Sequence, residues 1–172
     1  MLILNHDPRW ATMFVTEKAR LEQALGVSAL RVEHHGSTAV RGLPAKPIID
    51  IQISVESLRP LEPLVRALSA VGYIHVQHRD DARCPFFHQP AQWPHTHHVH
   101  LVEAGGEEEA RTLAFRDYLR THSDVADEYA RLKRELAGRF DASTVAGREA
   151  YAEAKSEFIE RVTSAALRAL RS

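Results

Sequence analysis

Residues 48–55, Ile-Ile-Asp-Ile-Gln-Ile-Ser-Val, constrain this chain more than any other segment. β-Branched residues alternate there with polar ones at a period of two, which is the pattern of a strand. Positions i and i+2 share a face, so Ile49, Ile51 and Ile53 are predicted to enter a core while Asp50 and Gln52 leave the sheet together on the other side. An acid in so apolar a strand is costly to bury unless it is paired or holds a metal. Two readings stand for Asp50: a ligand-binding carboxylate, or an acid near a strand end that is partly solvated or paired with Lys46 or an arginine.

The neighbouring segments supply partners for this strand. Asp7-Pro8 reads as a helix start, with Asp7 as N-cap, and the periodicity predicts a helix over 8–25 closed by Gly26. A short strand is predicted over 29–35, a helix over 58–71 ended by Gly72, and a strand pair over 73–77 and 83–88 turning at Asp80-Asp81. Residues 89–94 form a Pro-punctuated loop, and 97–103 a further strand. Helices follow over 107–120, from Ser123 or Asp124 to about Phe140, and from Gly147 onward. The expected architecture is one α/β (α+β) domain over 1–172, a mixed sheet flanked by helices with a helical C-terminal portion.

Three features could carry chemistry. In the segment 34–47, Gly36 allows close backbone approach, Ser37 and Thr38 can donate to phosphate oxygens, and Arg41 and Lys46 add positive charge. The plain alternative is a turn and helix cap. The second feature is the pair Asp50 and Gln52. The third is His98 and His100, one face of one strand, preceded by His95 and His97. Two imidazoles so spaced can ligate a transition metal, donate to a phosphate, or simply lie on a wet sheet face.

Composition narrows the classes. A formal net charge of -1 argues against a nucleic-acid or anionic-membrane footprint. No run of residues is long and apolar enough for a signal or a membrane span, and the single cysteine, Cys84, cannot form an internal disulfide. No activating motif surrounds Cys84, which reads as an incidental thiol. A cytoplasmic protein is expected.

The motifs taken together resemble the GrpB family. The resemblance lies in His35-Gly-Ser-Thr-Ala-Val, Gly42-Leu, Ala45-Lys-Pro and Ile48-Ile-Asp-Ile, and then in His97-His-Val-His-Leu-Val and Phe115-Arg-Asp-Tyr-Leu-Arg. It continues through Tyr129-Ala-Arg-Leu-Lys133 and Tyr151-Ala-Glu-Ala-Lys155-Ser-Glu-Phe-Ile, so it covers nearly the whole chain. It implies a nucleotidyltransferase fold, whose pattern is a Gly-Ser loop, an Asp-x-Asp strand and a third carboxylate on a neighbouring strand. It also implies kinship with domains fused to dephospho-coenzyme A kinase. Gly36-Ser37 and Asp50 match that pattern. Gln52 stands in place of the second acid, and His98 and His100 occupy the strand of the third, so a standard two-magnesium site is in question. At position 41 the family leads one to expect proline, and this chain has Arg41.

These readings imply a nucleotide-binding protein that transfers a nucleotidyl group to an unknown acceptor. Its divalent metal (Mg²⁺ or Mn²⁺, or a transition metal) would sit on Asp50, Gln52, His98 and His100, with one histidine as an alternative general base. Lys133 and Lys155 each follow a tyrosine by four residues and could reach phosphate in such a fold. Taken singly, each lysine reads as the solvent side of an amphipathic helix, and Arg116 has the same status. Two alternatives stay open: a non-catalytic phosphate- or nucleotide-binding module that supports a partner, in coenzyme A metabolism for instance, and a transition-metal hydrolase.

Overall fold

A computed structural model of the chain describes residues 2–77 and 81–170. Helix α1 (Arg9–Leu25) starts one residue later than the sequence predicts, with Pro8 rather than Asp7 as its N-cap, and the Asp7 carboxylate accepts from the Arg9 backbone N–H at 2.9 Å. Strands β1 (Arg31–His35) and β2 (Ile49–Val55) follow, then helix α2 (Glu62–Ala70), strands β3 (Ile74–Val76), β4 (Phe86–Gln89) and β5 (His97–Glu103). The chain ends in helices α3 (Glu107–Thr121), α4 (Ser123–Ala137), α5 (Val145–Glu153) and α6 (Ser156–Ala169).

Among the described residues one five-stranded sheet runs in the order β1-β2-β5-β4-β3. The β2–β5 pair is parallel and the others antiparallel, which makes the sheet mixed. Strand β2 lies inside the sheet, which is why its alternation signal is so strong. Ile49, Ile51 and Ile53 are fully buried on one face with Val99, Leu101 and Phe87, and α1 and α2 cover them with Trp10, Leu21, Leu25, Leu64 and Leu68. Each such side chain contributes roughly 1.5–3 kcal/mol by leaving water. A second cluster holds the helical tail together: Leu119, Tyr129, Ala130, Phe158 and Val162 pack around Val40 and Leu43. The loop after β1 is thereby held between the sheet and the tail.

Some boundaries differ from the sequence expectation. Helix α2 starts at Glu62 rather than Leu58, since Pro60 disfavours helical backbone at the residue before it. Strand β4 begins only at Phe86, after a proline that has no N–H to give the ladder. Of the expected turn, Asp80 lies outside the described residues. The last predicted helix is two helices, α5 and α6, meeting at Ala154–Lys155. The hydroxyl of Thr144 caps α5 by accepting from the Gly147 N–H at 3.0 Å. Among the described residues no helix is long and apolar enough to cross a membrane.

Candidate functional site

The face of the sheet turned away from α1 and α2 is polar. His35, Asp50, His98 and His88 align in register as one row across β1, β2, β5 and β4. Glu33, Gln52, His100 and Phe86 form the next row on the same face. Side chains opposite one another across a ladder point the same way, so pairing alone gathers these groups. His34, one residue from His35, goes to the other face, where its ring stacks on Phe14 at 4.7 Å. Burial there pushes its imidazole down to about 4. His97 also leaves the polar face and bonds to Gln89 and Thr96 at 3.2 and 2.9 Å.

Asp50 is the centre of the row. Its Oδ1 lies 3.2 Å from His98 Nδ1, and His98 Nε2 lies 3.1 Å from His95 Nδ1. Burial opposes the charge of Asp50. The His98 hydrogen bond and the neighbouring imidazoles outweigh it and hold the carboxyl well below its usual range. Gly36 closes over this carboxylate with φ 66° and ψ -171°. A Cβ at Gly36 would come within 2.9 Å of Asp50 Cβ and would overlap Oδ2. The glycine is therefore required twice, by its backbone angles and by the acid beneath it.

Three lysines approach, Lys46 from the loop before β2 and Lys133 and Lys155 from the helical tail. Lys133 of α4 is buried and donates to Ser37 Oγ at 2.9 Å and to the Pro44 carbonyl. Lys46 and Lys155 both sit over the Tyr151 ring, at 4.1 and 4.3 Å from its centroid. Burial pushes Lys133 down to about 7, and the charges of Lys155 and Arg134 add to the effect. Burial likewise brings Lys46 and Lys155 to about 8, and Asp50 partly offsets the shift at all three lysines. Perturbed amines gathered in one place are the kind of feature by which candidate sites are recognised. The solvent-facing alternative for Lys133 and Lys155 is corrected here: packing of the tail onto the sheet turns both inward.

Other expectations are corrected too. Thr38 is only 4% exposed; its hydroxyl donates to the Ile48 carbonyl at 3.2 Å and bonds His34 Nε2 at 2.9 Å. Its single proton is spent on holding the loop to β2, so it is no phosphate donor. Ser37 Oγ accepts from Lys133 at 2.9 Å and also pairs with the Tyr129 hydroxyl. Arg41 is exposed and makes no hydrogen bond or ion pair among the described residues. Arg116 is buried and ties α3 to β1 through Glu33 at 2.7 Å and the His34 carbonyl at 3.0 Å.

The residues proposed for a metal do not fit one. Both nitrogens of His98 are engaged, and Gln52 turns a buried amide nitrogen without a partner onto the same face. Glu33, in the next row, is neutralised by Arg116. Among the described residues no three His, Cys, Asp or Glu side chains gather as ligands. One carboxylate facing three ammonium groups suits an anion better than a cation. His100 lies against His35, its Nδ1 3.7 Å from Cys84 Sγ.

Two contributors carry no local sequence signal: His88 stacks on His95 at 3.8 Å, and Trp93 stands beneath Arg148; Tyr151, already paired with Lys155 by helical spacing, also underlies Lys46. Only tertiary packing assembles them.

Comparison with known proteins covers the same ground. The model of the family described as GrpB protein matches residues 1–165. A crystal structure described as conserved protein GrpB from Enterococcus faecalis superposes with a TM-score of 0.87 at 31% identity, over 99% of this chain and 100% of that one. The UPF0157 protein YqkA of Bacillus subtilis is 35% identical over 92% of this chain but only 45% of its own length. A dephospho-CoA kinase of Mycobacterium leprae is 33% identical over 91% of this chain and 44% of its own. The chain thus spans less than half the length of these two relatives.

Proposed function

The chain belongs to the GrpB family, and on that premise we propose that it binds a phosphorylated small molecule, of the nucleotide class, between the polar sheet face and helices α4 and α5. The observation that carries the reading is the convergence of Lys46, Lys133 and Lys155 beside Ser37 and Asp50. Phosphate oxygens would accept from the three ammonium groups, from the Ser37 hydroxyl and from the Gln52 amide. A buried donor left unpaired costs about 1–3 kcal/mol, so a ligand that satisfies Gln52 recovers that penalty.

The Asp50–His98 pair supports a transfer reaction on the bound phosphate. The carboxylate orients the imidazole through Nδ1, the arrangement by which carboxylates position a histidine base. With His98 Nε2 exchanging its His95 contact for an acceptor hydroxyl, the pair would take that proton as the hydroxyl oxygen bonds to phosphorus, and the anhydride oxygen would leave with the displaced phosphate. A second reading, binding without turnover, draws on Gln52, which removes the second acid of the expected pair. Relatives named dephospho-CoA kinase add dephospho-coenzyme A to the ligands to be tried.

The test is isothermal titration of untagged protein with ATP, GTP, CTP, UTP and dephospho-coenzyme A, in EDTA and again with Mg²⁺ or Mn²⁺. Binding of at least one ligand in EDTA is expected, and no binding under any condition sinks the proposal. Asp50→Asn distinguishes the readings further. An anion site that loses a carboxylate should bind as tightly or more tightly, while turnover is lost. A drop in affinity confined to the metal-containing titrations would restore the metal.

The pH dependence has a definite sign. A phosphate monoester loses its second proton near 6, so above pH 7 the ligand's charge is constant. Lys133 (about 7) and Lys46 and Lys155 (about 8) lose theirs as pH rises through that range. Affinity should therefore fall from pH 7 to 9.5. A flat profile in that window contradicts the lysine assignment.

A further inference from the structure

The phosphate end of the site is continuous with an aromatic end that no reading so far has used. Helix α5 joins the two. Arg148 and Tyr151 are three residues apart and share one helix face, separated by about 4.5 Å of rise. Tyr151 lies beneath Lys46 and Lys155, whereas the Arg148 guanidinium lies 4.5 Å over the Trp93 ring. Arg148 is held there by the Ala142 and Ser143 carbonyls at 2.8 and 3.2 Å. It is close enough for its charge to disfavour protonation of both Lys46 and His95.

Trp93 also meets His95 edge to face at 5.1 Å, and His95 stacks in parallel on His88 at 3.8 Å. His95 in turn bonds the His98 that holds Asp50. Burial, with the charges of His88, His98 and Arg148, brings His95 down to about 4, so the imidazole is neutral at physiological pH. Trp93 and Arg148 are both half-buried. An aromatic wall of neutral rings, reached within one helical turn of the lysines, is the surface on which a flat heterocycle stacks.

We infer that Trp93, with His95 and the Arg148 plane, forms a ring-binding subsite beside the lysine cluster, so that the ligand is a heteroaromatic phosphate rather than a sugar phosphate or inorganic phosphate. This rests on the phosphate site proposed above. A structural reading also exists, in which Trp93 and Arg148 merely clamp the loop before β5 against α5.

The test compares ATP with inorganic tripolyphosphate, which carries the same chain of phosphates and no ring. Calorimetry measures affinity. Fluorescence adds a local readout, because the only other tryptophan, Trp10, is buried against the far face of the sheet. Base stacking of this kind predicts a preference for ATP of roughly 5- to 150-fold. Trp93→Ala should abolish that preference and leave tripolyphosphate affinity in place, Trp93→Phe should restore it, and Lys155→Met should weaken both ligands together. Equal affinity of the wild-type protein for the two ligands overturns the ring subsite while leaving the phosphate site standing. So does an equal loss of both in Trp93→Ala, which is the signature of a clamp. Failure of both ligands to bind the wild type overturns the phosphate site and this inference with it.

Discussion

Gly36→Ala is expected to lower the midpoint of thermal unfolding by about 6–12 °C and to pull the Asp50 carboxylate away from His98. The backbone at Gly36, φ 66° and ψ -171°, lies in a region that only glycine visits freely, and an alanine there costs about 1–3 kcal/mol. The new methyl group would also meet Asp50 Cβ at 2.9 Å and overlap its Oδ2. The acid cannot simply swing aside, since β2 is paired on both edges and His98 holds the carboxylate. With a total near 3 kcal/mol and 2–4 °C per kcal/mol for a chain of this size, the shift in midpoint follows. Calorimetry measures it directly. An unchanged midpoint would mean that the loop relaxes and that Gly36 is not pinned over Asp50.

Lys133→Met should have the second large effect, an affinity loss of 30-fold or more for any phosphorylated ligand, of order 2 kcal/mol and up. Methionine keeps the length and apolar stem of lysine but deletes the charge and the donors to Ser37 and Pro44. Stability reports the same residue independently. The folded Lys133 titrates near 7, whereas an unfolded lysine titrates near 10.4. Between those values the unfolded chain binds more protons, so Lys133 makes stability rise with pH from about 7 to 10. That contribution to the slope should vanish in Lys133→Met, which denaturant melts at pH 7 and pH 9.5 would reveal. An unchanged slope and unchanged affinity together would return Lys133 to a purely structural role.

Legibility in the sequence followed the range of the interaction involved. The alternation at residues 48–55 identified β2 and the opposed directions of Ile51 and Gln52, because the pleat fixes side-chain direction locally. Gly36, Ser37, Asp50, His98 and His100 were singled out in the same way, as residues on one strand or at one turn, and the structure places Gly36, Asp50, His98 and His100 on or over one sheet face. Thr38 was misjudged because its hydroxyl bonds the Ile48 carbonyl, ten residues along the chain. Lys133 was ambiguous because a lysine four residues after a tyrosine looks alike on an inward and an outward helix face. Trp93 and Arg148 are 55 positions apart (148 minus 93) and meet only when α5 packs beside the loop before β5.

The sequence by itself determined the strand that carries Asp50, the glycine turn above it, the mixed α/β architecture and the GrpB likeness. These rest on backbone periodicity and turn chemistry, which act over a few residues. The tertiary structure alone decided that the helical tail folds over the polar sheet face. That packing draws Lys133 and Lys155 from distant segments to Lys46 and the Asp50 carboxylate, and the burial and mutual repulsion of the lysines follow from it. The electrostatic character of this face, three buried or half-buried lysines beside one acid where the motifs suggested a metal, is therefore a property of the assembled fold, because electrostatic environment depends on neighbours in space and not on neighbours in the chain.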